Sequence, residues 1–242
     1  MAQEGVYSAH LKCCTYTPFL SNFILGEIIV GRPKWYSHYS KSAEERRRFL
    51  PIGFFPDPEY RSKHKYMPST DFGRREDLIC PFLDTNLHCS IWQERNSACS
   101  SFHCKSSYGN LGMKFWRSYY EFFNYLEMNF AQLAMLEMGF DWEEVLDNLY
   151  WYEVQRVEEP NPYLNDSNYK RAWAHWNKKQ KLYFAKCWQW FNNLDKQEFW
   201  KLLDEQGMTY FESLSRDLGC VISSSCQKLP KDNKRSLPSL NP

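Results

Sequence analysis

The chain has 242 residues, of which 43% are hydrophobic and 18% aromatic. That length can bury one substantial core or two small ones, and that apolar content excludes a disordered chain. The 30 basic and 29 acidic residues leave a net charge of +1, so no overall field attracts nucleic acid or anionic lipid.

The hydrophobic runs are too short to cross a membrane. The longest, residues 23–30, is interrupted by Gly26 and Glu27, whereas a membrane-spanning helix needs about 18 apolar residues. The start of the chain lacks the charged region, apolar centre and cleavage site of a signal peptide. We therefore expect a cytoplasmic protein with neither a membrane nor a nucleic-acid partner. Cytoplasmic thiols stay reduced, so clustered cysteines indicate metal or redox sites before disulfides.

The N-terminal part of the chain predicts short elements joined by loops. Residues 22–30 have the length of a short buried helix or of a strand, and we favour a helix with Ser21 or Asn22 as its N-cap. Residues 42–49 open with a Ser-x-x-Glu capping box, which predicts a helix with a solvated charged face. The four prolines within residues 50–70 exclude a long helix and predict an irregular connection.

The C-terminal part predicts long helices. Residues 112–138 carry large apolar side chains on all sides, and Gly139 stands where such a helix would end. Asp141 and Glu144 form a capping-box pair that opens the next helix. Further helices are predicted over residues 166–194, 195–207 and 209–218.

We therefore predict a mainly α fold in one domain. An irregular, cysteine-rich, metal-binding half at residues 1–110 packs against a bundle of aromatic-rich helices at residues 111–219. The polar, proline-containing segment at residues 220–242 is predicted to be a disordered tail. The cysteine-rich loops lack periodicity, which is expected where a metal rather than a hydrogen-bonded ladder holds them.

The clustered cysteines carry the strongest chemical signal. Four lie within residues 80–104, with eight, nine and four residues between them, and two more are adjacent near the N-terminus. Thiolates bind zinc and iron–sulfur clusters, and a structural zinc typically draws four ligands from pairs about two to four residues apart. Only the last spacing comes near such a pair, which favours a cluster and leaves zinc open. The candidate ligands are Cys13, Cys14, Cys80, Cys89, Cys99 and Cys104.

The adjacent pair Cys13 and Cys14 is subject to a geometric constraint. Two neighbouring residues cannot easily turn both thiolates toward one ion. We therefore expect one of them to ligate the metal while the other packs or reacts. The two positions should then respond differently to substitution.

This arrangement resembles the YkgJ-like CxxCxxCC family of zinc- or iron-chelating proteins. The family pattern CPFL, C-x-I-Y-x-x-R and C-x4-C is matched in order, with Trp92 in place of Tyr, and the adjacent cysteines match its amino-terminal CC. Asn96 and Ser100 replace a Pro and an Arg, and no cysteine precedes Cys13, so His10 is a candidate substitute ligand. The matching residues are Cys80, Pro81, Phe82, Leu83, Cys89, Ile91, Arg95, Cys99, Phe102 and Cys104.

The resemblance implies metal chelation more strongly than any one reaction. It implies an iron–sulfur cluster of 4Fe-4S type or another iron site, with zinc as the alternative. The family includes flagellin lysine N-methylases, which implies methyl transfer as one activity and S-adenosylmethionine as a candidate cosubstrate. We expect an iron–sulfur protein, with a role as a metal-dependent transferase acting on a protein or small molecule left open. The alternative is a non-catalytic, zinc-stabilised interaction module.

Other polar residues have a structural interpretation beside a functional one. Arg95 is a candidate for holding an anionic cofactor or substrate, but its donors also suit loop carbonyls. Asp84 is a candidate acid or base and more typically a turn residue. Cys187 is expected in the core. The weaker ligand candidates are His88, His103, Cys220 and Cys226.

Overall fold

The computed structural model describes residues 14–34, 36, 48–56, 58–67, 71, 74–102, 108–157, 166–195, 200 and 203–228. The fold is mainly α, as predicted. A small antiparallel sheet has the strand order β1-β3-β2, with β1 at Leu20–Ser21, β2 at Phe49–Leu50 and β3 at Gly53–Phe54. The principal α-helices in the described ranges are α1 (Asn22–Gly31), α2 (Pro58–Lys65), α3 (Ser97–Ser101), α4 (Gly109–Glu137), α5 (Trp142–Val157), α6 (Asp166–Trp173), α7 (Gln180–Asn192) and α8 (Glu205–Lys228). Two single-turn 3-10 helices lie at Glu76–Leu78 and Ala174–Trp176.

Helix α1 confirms the prediction of a buried helix after Ser21. Ser21 is the N-cap residue and has extended backbone, although its hydroxyl does not cap the helix. Instead, the side-chain oxygen of Asn22 accepts the backbone N–H of Phe23 at 2.8 Å. The helix packs along α7, so closely that a Cβ on Gly26 would meet the carbonyl oxygen of Phe184. Only glycine fits at this crossing point.

One hydrophobic core is shared by the cysteine-rich and helical parts of the chain. At its centre, the buried Asn22 side chain donates to the carbonyl oxygens of Pro51, at 3.1 Å, and of Ala131, at 2.8 Å. The Tyr183 hydroxyl donates to the same Pro51 oxygen at 2.8 Å. These bonds satisfy polar groups that are costly to bury unpaired, and they tie α1, the sheet, α4 and α7 together.

The turn from α4 into α5 follows the local sequence signals. Helix α4 ends at Glu137, and Gly139 follows with a φ of 86°, in the left-handed region that favours glycine. The Asp141 N–H donates to the Glu144 carboxylate at 3.0 Å, and the Glu144 N–H donates to the Asp141 carboxylate at 2.9 Å. This is a reciprocal capping box. The predicted helix end and the predicted helix start are both confirmed.

The predicted continuous helix over residues 166–194 is wrong. Ala174 and Lys178, between α6 and α7, have positive φ values of 43° and 66°, which a continuous α-helix does not accommodate. The break lets Trp173 enter the core, where it is 0% exposed. Trp176 donates its Nε1–H to the carbonyl oxygen of Met138, just after α4, at 2.8 Å. Tertiary packing of two tryptophans thus overrides the local helical pattern.

Helix α8 continues where two ends were predicted. It begins after Asp204, whose carboxylate accepts the Gly207 N–H at 2.8 Å, and it runs on through Gly219. A Cβ on Gly207 would lie 2.6 Å from the Tyr125 ring of α4, so this glycine allows close helix packing. The predicted helix end at Gly207 is therefore wrong. Residues 220–228, predicted as part of a disordered tail, belong to the helix, and the rest of that tail lies outside the described residues.

The segment before the clustered cysteines is more regular than predicted. Residues 50–70 contain β3 and α2, and α2 starts at Pro58. Proline suits a first helical position because the N–H that it lacks would be unpaired there. The helix predicted over residues 42–49 lies outside the described residues except at its end, where Phe49 belongs to β2. In the described ranges, no helix is long and apolar enough to cross a membrane.

Candidate metal centre

The first two cysteine segments meet through a backbone hydrogen bond. The Cys80 N–H donates to the Cys14 carbonyl oxygen at 2.6 Å, although the two residues are far apart in the sequence. Cys80 is buried, and Cys14 is half-buried against the same hydrophobic core. The chain turns directly after Cys80, because the Leu83 N–H donates to the Cys80 carbonyl oxygen at 3.0 Å. The CPFL segment is thereby held beside the backbone of Cys14.

A tight turn brings Cys89 back toward the CPFL segment. The Asp84 carboxylate accepts the backbone N–H groups of Asn86 and of the exposed His88, both at 2.8 Å, which confirms the predicted turn role of Asp84. Leu83 and Cys89 then pair as an isolated antiparallel bridge. The Cys89 side chain is half-buried and packs against the core that also covers the CPFL segment.

Cys99 lies in the first turn of α3, which is capped by Asn96. The Asn96 side-chain oxygen accepts the Cys99 N–H at 3.0 Å, and its amide donates to the Phe19 carbonyl oxygen at 2.9 Å. Asn is a favoured N-cap residue, so it has a structural role where the family pattern has Pro. The Glu127 carboxylate of α4 accepts the N–H and the hydroxyl of Ser97, at 2.6 and 3.0 Å. The helix of Cys99 is therefore anchored by both parts of the chain.

Tyr60 of α2 lies where these segments approach one another. Its hydroxyl donates to the Thr15 carbonyl oxygen at 3.0 Å and accepts the Thr17 N–H at 2.7 Å. Burial raises the pKa of the Tyr60 phenol to about 12, against the opposing effect of the hydrogen bond from Thr17. Tyr60 therefore ties α2 to the backbone next to Cys14.

The described part of the chain contains four of the six predicted ligands, and none of the four is in a disulfide. Within those residues, no three His, Cys, Asp or Glu side chains come together as a complete metal site. The structure brings the Cys80 segment beside Cys14 and returns the chain to that segment at Cys89, and the ligand set stays a prediction. The candidates outside the described residues are Cys13, Cys104, His10 and His103.

The remaining candidates have packing contacts or surface positions. The Arg95 guanidinium lies 3.5 Å from the centre of the Trp92 ring, and its Nε–H donates to the Trp92 carbonyl oxygen at 3.0 Å. Arg95 thus makes the contact to a loop carbonyl that was its structural interpretation. The role of Arg95 toward a cofactor stays a prediction. Cys187 is fully buried in α7, where burial raises the pKa of its thiol to about 12, so its predicted place in the core is confirmed. Cys220 is exposed on α8, and Cys226 lies further along that helix.

The sequence did not predict a cleft between α2, α3 and α4, which we call the α2–α4 cleft. It consists of two adjoining cavities of about 580 and 340 Å³. Its wall includes residues of α3, so it borders the helix of Cys99. The cleft could not be read from local patterns because it is assembled from separate segments, one of which, α2, was predicted to be irregular. The residues that line both cavities are Tyr16, His64, Ala98 and Tyr120.

His64 stands at the boundary of the two cavities. Its ring meets Tyr16 edge-on and stacks on Tyr60, in both cases with ring centroids 5.6 Å apart. Burial lowers the pKa of His64 from its ordinary value, so the imidazole is neutral at pH 7. The Nε2 atom is buried and has no hydrogen-bond partner among the described residues. The centre of the cleft therefore has an uncharged aromatic wall.

Comparisons with protein-family models, with curated proteins and with solved structures find no match for this chain. The resemblance to the YkgJ-like family therefore rests on the cysteine motif alone. No relative supplies a function for the candidate centre, so function has to be inferred from the residues themselves.

Proposed function

We propose that the protein binds an iron–sulfur cluster, of 4Fe-4S type, through its clustered cysteines. The observation that carries this proposal is the meeting of distant segments, because the Cys80 N–H donates to the Cys14 carbonyl oxygen at 2.6 Å. After the turn that follows Cys80, the chain returns to the CPFL segment, where Cys89 pairs with Leu83. The proposed ligands are Cys80, Cys89, Cys99 and Cys104, with Cys14 or Cys13.

The surroundings of these cysteines support a ligand role over a packing role. A cysteine that only packs resembles Cys187, which is 0% exposed inside a regular helix. Cys14, Cys89 and Cys99 are half-buried, and they lie in turns, in an isolated bridge or in a first helical turn. Short irregular segments gain most from a metal, because the free energy of metal binding then becomes free energy of folding.

The spacing of the cysteines favours a cluster over a single zinc ion. Gaps of eight and nine residues are wide for the pairs that hold structural zinc. Zinc would make the centre a closed structural site and the protein a non-catalytic interaction module. A catalytic role, such as methyl transfer to a protein or small molecule, requires a metal position left open for substrate. The α2–α4 cleft, which borders the helix of Cys99, supports this enzymatic version of the proposal.

The metal content of cysteine variants tests the proposal. We expect Cys80→Ser and Cys99→Ser, purified without oxygen, to lose most of the iron, the acid-labile sulfide and the visible absorption of the wild-type protein. Cys220→Ser is the matched control, since it removes an exposed thiol of α8. Full iron content in both Cys80→Ser and Cys99→Ser would overturn the proposal. Zinc in place of iron would favour the interaction module.

A further inference from the structure

The α2–α4 cleft has the dimensions of a small-molecule site. Its larger lobe measures about 580 Å³ and its smaller lobe about 340 Å³, and such sites typically occupy roughly 300–1,000 Å³. The two lobes adjoin at residues that line both of them.

The larger lobe is apolar and aromatic. Met113, Trp116 and Tyr120 of α4 all line it, because residues three or four positions apart share one face of a helix. Phe102 and Met67 line it as well. Met113 is 50% exposed and Phe102 39% exposed, so apolar surface is left open to water here. A flat, apolar ligand would cover this surface and stack on its rings.

The smaller lobe carries positive charge and amide donors. Arg61 and Lys65 are four positions apart on α2, and both line this lobe. The amide side chains of Asn96 and Asn124 line it too. No Asp or Glu is among the described residues that line either lobe. An anionic group is favoured in such surroundings, because both cations attract it and can donate hydrogen bonds to it.

The two other basic side chains of the cleft lie at its larger lobe and at the boundary between the lobes. Arg117 lines the larger lobe and forms an ion pair with Glu121 at 2.9 Å. His64 lines both lobes with its uncharged ring. Among the described lining residues, Arg61 and Lys65 line the smaller lobe and not the larger one.

We propose that the α2–α4 cleft binds an organic anion with a flat, apolar body. The body occupies the larger lobe beside Trp116 and Tyr120, and the anionic group lies in the smaller lobe near Arg61 and Lys65. This inference goes beyond metal binding and does not depend on it, because none of the proposed metal ligands that the structure describes lines the cleft.

Two matched fluorescent dyes test the proposal. Anilinonaphthalene sulfonate and phenylnaphthylamine share one ring system, and only the first carries a negative charge. We expect Arg61→Gln combined with Lys65→Gln to weaken binding of the sulfonate dye roughly tenfold and to leave binding of the neutral dye nearly unchanged. Trp116→Leu combined with Tyr120→Leu should weaken both dyes. Lys63→Gln is the matched control, because Lys63 lies on the same helix, pairs with Glu59 at 2.8 Å and does not line the cleft.

The proposal stands or falls on whether the substitutions change binding of the charged dye and of the neutral dye by different amounts. Equal weakening of both dyes by the Arg61 and Lys65 substitutions, or an equal effect of Lys63→Gln, would overturn the proposal. Unchanged binding of both dyes after the Trp116 and Tyr120 substitutions would do so as well. Such dyes also bind loosened proteins, so each variant must first show wild-type cooperative unfolding, and the single substitutions replace any double variant that does not.

Metal analysis of the same samples separates this inference from the proposed function. Charge-selective dye binding by protein without bound metal would support the cleft and count against the metal centre. Bound iron together with unselective dye binding would support the metal centre and overturn the ligand inference.

Discussion

The Glu127 carboxylate accepts two hydrogen bonds from Ser97, one from the backbone N–H at 2.6 Å and one from the hydroxyl at 3.0 Å. Ser97 opens α3, the helix of Cys99, and Glu127 lies within α4. Burial raises the pKa of the Glu127 carboxyl to about 7, against the opposing effect of the bonds from Ser97. This contact between the cysteine-rich and helical parts therefore changes charge near neutral pH.

Stability is expected to fall as pH rises through the range in which Glu127 ionises. The pKa of about 7 in the folded state lies above the ordinary value of 4.5, so between these values the folded protein holds a proton that the unfolded chain releases. Protonation of Glu127 therefore adds to the free energy of unfolding in full below the lower pKa and adds nothing above the higher one. The full contribution is on the order of 3 kcal/mol. Glu127→Gln removes this dependence. The free energy of unfolding of the wild type minus that of the variant should decrease from about pH 5 to about pH 8 in denaturant titrations.

A second variant at this contact serves as the control. Ser97→Ala removes a hydrogen bond that favours the ionised carboxylate, so the pH at which stability is lost should move upward rather than vanish. A difference between wild type and Glu127→Gln that stays constant with pH would show that the carboxyl ionises as it does in water.

Serine substitutions at Cys13 and Cys14 are expected to have unequal effects on metal content. The Cys14 backbone adjoins Cys80, so Cys14 is the member of the pair that we expect to ligate. Cys14→Ser should lose most of the bound metal, and Cys13→Ser should keep it, as measured by elemental analysis. Equal and complete loss in both variants would refute the geometric constraint on the pair.

Removal of the metal should loosen residues 80–104 and leave α4 and α7 folded. Binding of a structural metal contributes on the order of 10 kcal/mol to folding of segments that lack their own core, and the described part of this segment has only turns, one isolated bridge and a helix of five residues. Helices α4 and α7 are regular helices, so their backbone hydrogen bonds do not depend on the metal. Limited proteolysis with mass spectrometry should find the first cleavages of chelated protein between residues 80 and 104. Unchanged protease resistance there would count against a structural metal.

Gly26→Ala should destabilise the protein because α1 and α7 cross at this residue. The added Cβ would meet the Phe184 carbonyl oxygen and would lie 2.8 Å from the Trp188 Cβ, and forcing atoms into a packed core typically costs about 1–3 kcal/mol. Gly31→Ala, at the last residue of the same helix, is the matched control, since nothing lies within 4 Å of its added Cβ. Urea denaturation measures both free energies. Equal stability of the two variants would mean that the helices pack less closely than described.

Sequence reasoning succeeded where neighbouring residues decide the structure. The capping box of Asp141 and Glu144, the helix end at Gly139 and the turn made by Asp84 are each formed within about five residues. The mainly α fold follows from the same local signals, because composition and capping residues indicate amphipathic and buried helices.

It failed where distant residues decide the structure. Gly207 reads as a helix end, yet it fits against Tyr125 of another helix, and only the fold reveals this contact. The break near Ala174 likewise depends on where Trp173 and Trp176 find their partners. The α2–α4 cleft draws on several segments, so no single stretch of sequence carried its signal. The ligand set predicted from the cysteine motif stays a prediction, since no three His, Cys, Asp or Glu side chains come together as a metal site among the described residues.

The most direct test of the central claim is the content of iron, acid-labile sulfide and zinc in wild-type protein purified without oxygen, measured together with its visible absorption spectrum. An iron–sulfur protein should contain iron and sulfide in equal amounts, about four of each per chain for a 4Fe-4S cluster, and show the broad visible absorption of thiolate-bound iron. Folded protein without bound iron or sulfide, with the thiols of Cys14, Cys80, Cys89 and Cys99 all open to alkylation, would contradict the proposed metal centre.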